Sequence, residues 1–162
     1  MRKSLYILLL IALTLNACKR DPSYIFEVND VAVTASAGEK NRLKTDIEFV
    51  SIAHADIFGS SISSNYLENI VTTYKSFGDK SLVIEMIIRK FIDDGGTNIT
   101  AIDRSSNTSI ESFVIDTYKK LYNREPDAFE KWYLSDLIAN DDVINAEIVY
   151  FSMMTANEYR YY

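Results

Sequence analysis

Apolar residues return at helical spacing in one stretch of this chain after another, and each stretch ends at a residue suited to a helix terminus. With only five glycines and two prolines in 162 residues to interrupt it, that pattern predicts helices almost throughout. Ser36-Ala37-Gly38-Glu39 has capping-box spacing, and Leu43, Ile47, Val50, His54, Ile57 and Phe58 follow on one face until Gly59. Ser64 precedes a stripe of Leu67, Ile70, Val71, Tyr74 and Phe77, with Gly78 placed to end the helix. Asp79 caps a third helix that carries Leu82, Val83, Met86, Ile87 and Phe91 inward as far as Gly95-Gly96. Residues 97–107 read as a polar surface loop, and Thr108-Ser109-Ile110-Glu111 as a second capping box ahead of Phe113, Val114, Thr117, Tyr118 and Leu121. Asp127 opens a fifth helix burying Phe129, Trp132, Tyr133 and Leu137, and a sixth begins near Asn145 with Ile148, Val149, Phe151 and Met154. The expected fold is all-α: about six short-to-medium helices in a compact orthogonal bundle with short links.

The N-terminus follows a different rule. Arg2-Lys3 is a short basic flank, and residues 5–15 form an almost unbroken apolar run. That run falls short of the roughly 20 residues that span a hydrocarbon core, but has the length of a signal-peptide apolar region. It ends in Leu15-Asn16-Ala17-Cys18, which resembles the lipobox of bacterial lipoproteins. The resemblance implies cleavage before Cys18 and acylation there with diacylglycerol and a further acyl chain, palmitate-like in length. At about 0.8 kcal/mol per buried methylene, such chains hold a protein firmly on a bilayer. Lys19 stands where many inner-membrane lipoproteins carry aspartate, so the resemblance points to the outer membrane, on its periplasmic or its surface face. Lys19-Arg20-Asp21 ahead of an aromatic-rich domain is similar to lipoproteins of the Bacteroidota. The organisation expected is a signal peptide at 1–17, a flexible lipidated tether at 18–30 and a single helical domain at 31–162. Within the tether, Tyr24-Ile25-Phe26-Glu27-Val28 alternates loosely, as one short strand or a segment lying on the domain.

Charge narrows the partners. The formal net charge is −6, which argues against nucleic acid, whose binding needs clustered basic side chains. Loss of Arg2 and Lys3 with the leader leaves 15 of the 17 basic residues against 23 acidic ones, a net of −8. Anionic lipid repels such a chain, so the acyl group at Cys18 must do the anchoring. One cysteine and one histidine exclude a disulfide framework and the common zinc sites, and no cofactor-binding fingerprint occurs.

From Phe113 onward the chain resembles a bacterial domain of unknown function that is compared with phycobilisome linkers. The residues in its places are Tyr118, Leu121, Tyr122-Asn123-Arg124-Glu125-Pro126-Asp127-Ala128, Trp132-Tyr133 and Thr155-Ala156-Asn157-Glu158-Tyr159-Arg160. Glu130-Lys131 and Tyr122-Asn123 depart from it, where that family carries glycine and Leu-Gly. The resemblance implies a small helical interaction module. Physical chemistry reads the same stretch as a corner. Pro126 turns Glu125 out of the helical region and Asp127 caps the next helix. Arg124 complements the dipole of the helix it ends and can pair with Asp127, Glu130 or Glu158; a binding site using Arg124 is the other reading.

Candidates for chemistry are few. His54 shares a stripe with Val50 and Ile57, as a partly buried, satisfied histidine would, and Asp56 points elsewhere on that helix. Gly59-Ser60-Ser61-Ile62-Ser63 lacks the second glycine and preceding strand of a nucleophile elbow. Asp93-Asp94-Gly95-Gly96-Thr97-Asn98 offers oxygen ligands but not the twelve-residue calcium loop, so it is a solvated turn or carries a cation. Asp141-Asp142 reads as the acid pair opening the last helix. No catalytic set and no metal set is expected. Tyrosine is the compositional excess, with 11 in the chain. Tyr159, Tyr161 and Tyr162 crowd the C-terminus as a candidate partner surface, unless Phe151 and Tyr159 complete the core. The expected function is that of a non-catalytic lipoprotein with a protein partner in the cell envelope. The alternative is a module that binds an extracellular glycan or peptide through exposed tyrosines.

Overall fold

The computed structural model describes residues 42–161. The expected leader, the lipobox with Cys18, the tether, the capping box at 36–39 and Tyr162 lie outside those residues. Within them run six α-helices: α1 (Asp46–Phe58), α2 (Ser64–Ser76), α3 (Lys80–Asp93), α4 (Asn107–Tyr122), α5 (Ala128–Asn140) and α6 (Ala146–Thr155). A 3-10 turn at Asn157–Arg160 closes the order. No strand occurs among the described residues, only an isolated antiparallel bridge between Leu43 and Tyr161. The fold is all-α, as its breakers and caps predict. No described helix is long and apolar enough to cross a membrane.

Two helix pairs form the body, α1 on α2 and α4 on α5, and the pair α3–α6 joins them. Helix α3 also packs on α1 and α2, while α6 reaches α4 and the 3-10 turn. One apolar core results. It holds Phe49, Val50 and Ile57 of α1, Val83, Ile84, Ile88 and Phe91 of α3, Val114 of α4, and Val149 and Met154 of α6.

The helix ends show where local chemistry decides. Thr45, not Ser36, caps α1, in a reciprocal box with Glu48. Leu43 therefore lies before the helix, half exposed in its bridge to Tyr161. The N-cap of α2 is Ser63 rather than Ser64. Asp79 caps α3 as expected, by accepting from the Ser81 and Leu82 N–H groups. Ser106 caps α4, two residues ahead of the Thr108 box. Asp127 caps α5 with Glu130, and Asn145 caps α6. Asp141 and Asp142 sit in the turn before α6, where Asp141 accepts the Val143 N–H at 2.9 Å. They close α5 rather than open α6.

Packing rotates two of the expected stripes. Helix α3 buries Ile84 and Ile88 and leaves Leu82 and Met86 half exposed, because it must face α1, α2 and α6 at once. Helix α5 is the larger correction. Trp132, expected in the core, is 59% exposed, alongside Phe129, Tyr133 and Leu137, and Ile138 alone of this helix is buried. The connection at 97–106 is likewise more than a surface loop, since Ile99 and Ile102 pack against the core.

The C-terminus closes on the beginning of the domain. Tyr159, a candidate for the partner surface, is fully buried. Its ring meets Phe49 edge-on at 5.9 Å, and its hydroxyl donates to Asp56 Oδ2 at 2.6 Å. Burial pushes the Asp56 carboxyl above its ordinary range. Lys44 lies over the Tyr159 ring at 4.1 Å and donates to the Tyr159 carbonyl, while the Lys44 N–H donates to Arg160 O at 2.9 Å. Tyr161 stays partly exposed at this edge. Tyr159→Ala should therefore cost about 3–5 kcal/mol, as large aromatic truncations in cores do. Trp132→Ala should cost under about 1 kcal/mol, as exposed substitutions do. Urea unfolding followed by far-UV circular dichroism checks both.

Candidate functional site

The corner between α4 and α5 is built from its backbone outward. Asn123 takes the left-handed conformation (φ 52°) that ends α4, a geometry asparagine tolerates better than most side chains. Pro126 then keeps Glu125 extended and Asp127 starts α5. Arg124 is held between these two devices, and its guanidinium spends every N–H it has. Nη1 and Nη2 donate to the two Glu130 oxygens, each at 2.7 Å. Nε and Nη2 donate to the two Glu158 oxygens at 2.6 and 2.9 Å, and Nη1 also reaches the Glu125 carbonyl at 3.1 Å.

That arrangement ties three segments with one side chain: the end of α4, the first turn of α5 and the C-terminal 3-10 turn. Glu130 serves twice, because its Oε2 also accepts the Asp127 N–H at 2.8 Å in the capping box. The guanidinium lies 5.1 Å from the Tyr118 ring centroid and 5.7 Å from that of Tyr122. Tyr122 in turn donates to the Met153 carbonyl at 2.9 Å. Hydrogen bonds from Arg124 hold the Glu130 carboxyl below its usual range, and Glu130 and then Glu158 push the Arg124 guanidinium upward. Burial raises the Tyr122 hydroxyl. Of the pairings the sequence allows Arg124, those with Glu130 and Glu158 form, and Asp127 instead caps the helix. The corner role is the one the structure displays.

A second arginine fixes the opposite end of α5. Arg104 donates to the carbonyls of Ile138, Asp141 and Ile144, where a cation complements the end of a helix dipole. It also faces Asp142 at 3.6 Å. Lys131 crosses to Glu111 of α4 at 3.4 Å. Helix α5 is thus pinned at both ends and packed on α4 along its inner side.

Its outer side carries the candidate site. Phe129 is 67% exposed, Trp132 59% and Tyr133 55%, with Leu137 at their C-terminal side. Residues 129, 132, 133 and 137 share one face, and Asp136 and Asn140 lie along it at the same spacing. Phe129 and Tyr133 stack with centroids 5.8 Å apart and planes 17° apart, and Trp132 tilts against Phe129 at 5.9 Å. This is an ordered aromatic stripe on a rigid helix. Its rings offer apolar contact area, with the Asp136 carboxylate and the Asn140 amide among them.

The other candidates are absorbed by the fold. His54 is half-buried, its Nδ1 3.0 Å from the Ser60 carbonyl and its ring against Phe58 at 4.5 Å and Phe91 at 5.6 Å. Asp56 turns to Tyr159, so no His54–Asp56 dyad forms. The Gly59–Ser63 stretch is a helix end, with Gly59 in the left-handed conformation at φ 68°. A side chain there would meet Asn98 Nδ2 at 2.7 Å, so only glycine suits both conformation and space. Asp94 pairs with Lys90 at 2.9 Å and accepts from Tyr66 at 3.3 Å. Among the described residues no group of three or more His, Cys, Asp or Glu side chains could hold a metal ion.

No known protein family matches the chain, and neither does a curated protein or a solved structure.

The sequence announces the corner at Arg124 through its proline and its two caps. It conceals the stripe, because α5 is apolar on opposite sides and nothing local says which side packs. The signal lies in that doubling: Leu134 and Ile138 form one stripe, and Phe129, Trp132, Tyr133 and Leu137 the other. Arg104 has no local signal, since its carbonyl partners are 34 to 40 residues away. Arg124→Ala should cost about 2–3 kcal/mol, since it leaves two carboxylates facing each other without their donor. Arg124→Lys should recover only part, because an ammonium cannot serve two carboxylates bidentately. Glu130 contributes stability that is present above the ordinary glutamate value of 4.5 and lost as pH falls through its lowered value. The gap between parent and Arg124→Ala should therefore narrow from pH 7 to pH 3 in urea titrations.

Proposed function

We propose that this protein is a non-catalytic lipoprotein of the cell envelope, anchored through an acylated Cys18, whose helical domain docks a protein partner with the outer face of α5. The observation that carries the docking reading is the exposed run of Phe129, Trp132, Tyr133 and Leu137 on a helix fixed at both ends. Exposed large aromatics gathered on one face mark contact surfaces more often than they mark chance. Rigid rings lose little conformational entropy on binding. Of the C-terminal tyrosines, Tyr159 belongs to the core, Tyr161 is partly exposed and Tyr162 lies outside the described residues, so the reading rests on the α5 face.

The anchoring half of the proposal rests on Leu15-Asn16-Ala17-Cys18 behind a basic flank and a short apolar run. The acidic balance of the chain agrees with it, since lipid and not charge must then hold the protein at the outer membrane. The linker-like resemblance of residues 113–160 supports an interaction module. Cys18→Ala should abolish acyl labelling and move the protein out of the acyl-anchored membrane fraction. Serine at 129, 132 and 133 together should leave helix content intact and remove the cross-linked partner recovered from cells. Membrane association without acyl label in the parent contradicts the anchor. Undiminished recovery by the serine variant contradicts the docking face.

A further inference from the structure

The charges around the stripe say what kind of surface would cover it. From 127 to 142 the chain carries Asp127, Glu130, Asp136, Asp141 and Asp142 against Lys131 alone. Arg124 matches Glu130, Arg104 faces Asp142, and Lys131 is turned to Glu111. Asp136 is left in the middle of the aromatic stripe, where an occupant that covers the rings also covers its carboxylate, whereas Asp127 and Asp141 stand at the two ends of the helix and each accept a backbone N–H. The apolar positions 129, 132, 133 and 137 extend over about 12 Å of helix, the length over which two packed helices share side chains.

We propose that the outer face of α5 receives a basic amphipathic helix of a partner protein. The apolar stripe of that helix packs on Phe129, Trp132, Tyr133 and Leu137, and a lysine or arginine beside it meets Asp136, whose carboxylate would otherwise be covered without a cationic partner. Arginine on that flank can also lie over the Trp132 ring, where cation–π attraction adds to charge. The inference rests on α5 being the docking face and adds the chemistry of the occupant.

Charge separates this occupant from the others. Two copies of α5 packed antiparallel would bring Asp136 near its own counterpart in an interface that excludes water, which like charges oppose. An anionic bilayer meets the same repulsion. The chain's own residues 18–41 carry three basic and four acidic side chains, so they offer no basic excess to complement the face. A neutral sugar brings no positive charge to the Asp136 carboxylate that it would cover.

Trp132 is the single tryptophan of the chain and stands within the stripe, so its emission reports on the face directly. The test uses the full-length protein in phosphatidylcholine nanodiscs, with empty nanodiscs as blank, and a tryptophan-free amphipathic helical peptide of leucine and lysine as probe. A saturable blue shift of Trp132 is expected with this peptide. An otherwise identical leucine–glutamate peptide should give none. Asp136→Lys should weaken the leucine–lysine peptide by at least about tenfold, with circular dichroism unchanged. Equal binding of the acidic peptide, or no effect of Asp136→Lys, overturns the basic-helix assignment while the docking face stands. The same holds if a neutral oligosaccharide alone shifts the emission, if lipid-borne quenchers already reach Trp132 without peptide, or if the shift follows protein concentration with a dimer mass. An emission that no probe moves, together with undiminished partner recovery by the serine variant, would instead end the docking reading itself.

Discussion

The guanidinium of Arg124 is the constraint on which the rest of the domain depends. Five N–H groups meet five acceptors, from Glu130, Glu158 and the Glu125 carbonyl. Two carboxylates this close would repel each other without a planar cation between them, and lysine cannot supply that geometry. Through Glu130 the node sets the first turn of α5, and through Glu158 it holds the 3-10 turn that seats Tyr159. The buried Tyr159 then ties α1 to the C-terminus through Phe49 and Asp56. A half-buried ion cluster thus organises both the core closure and the helix that bears the candidate site.

Helix α5 shows what that organisation achieves. A helix with apolar residues on both sides has no preferred inner face of its own. Arg124 and Glu130 at one end, and Arg104 with the carbonyls of Ile138, Asp141 and Ile144 at the other, hold it with Leu134 and Ile138 toward the core. Ile138 is buried and Trp132 is not. The exposed stripe thus stands on a helix whose two ends are fixed by polar contacts.

What could be read from the sequence follows the range of the interactions. Caps act over three residues, and those at Asp79, Asp127 and Asn145 stand where their spacing puts them. The proline corner after Arg124 is equally local. The Ser36 box lies outside the described residues, and α1 starts instead at a second box of the same spacing, Thr45 with Glu48, while Ser106 rather than Thr108 caps α4. Tyr159 and Trp132 exchange expected places. Each is an aromatic residue with no local signal of its burial: Tyr159 is seated by Asp56, 103 residues away, and Trp132 lies opposite the Leu134–Ile138 side that packs.

Acrylamide quenching of Trp132 in the folded full-length protein tests the central claim most directly, that the aromatic stripe of α5 faces outward. The account predicts quenching nearly as efficient as in the urea-unfolded chain, with long-wavelength emission. A protected, blue-emitting Trp132 in the isolated protein would contradict it, because the stripe would then belong to the core.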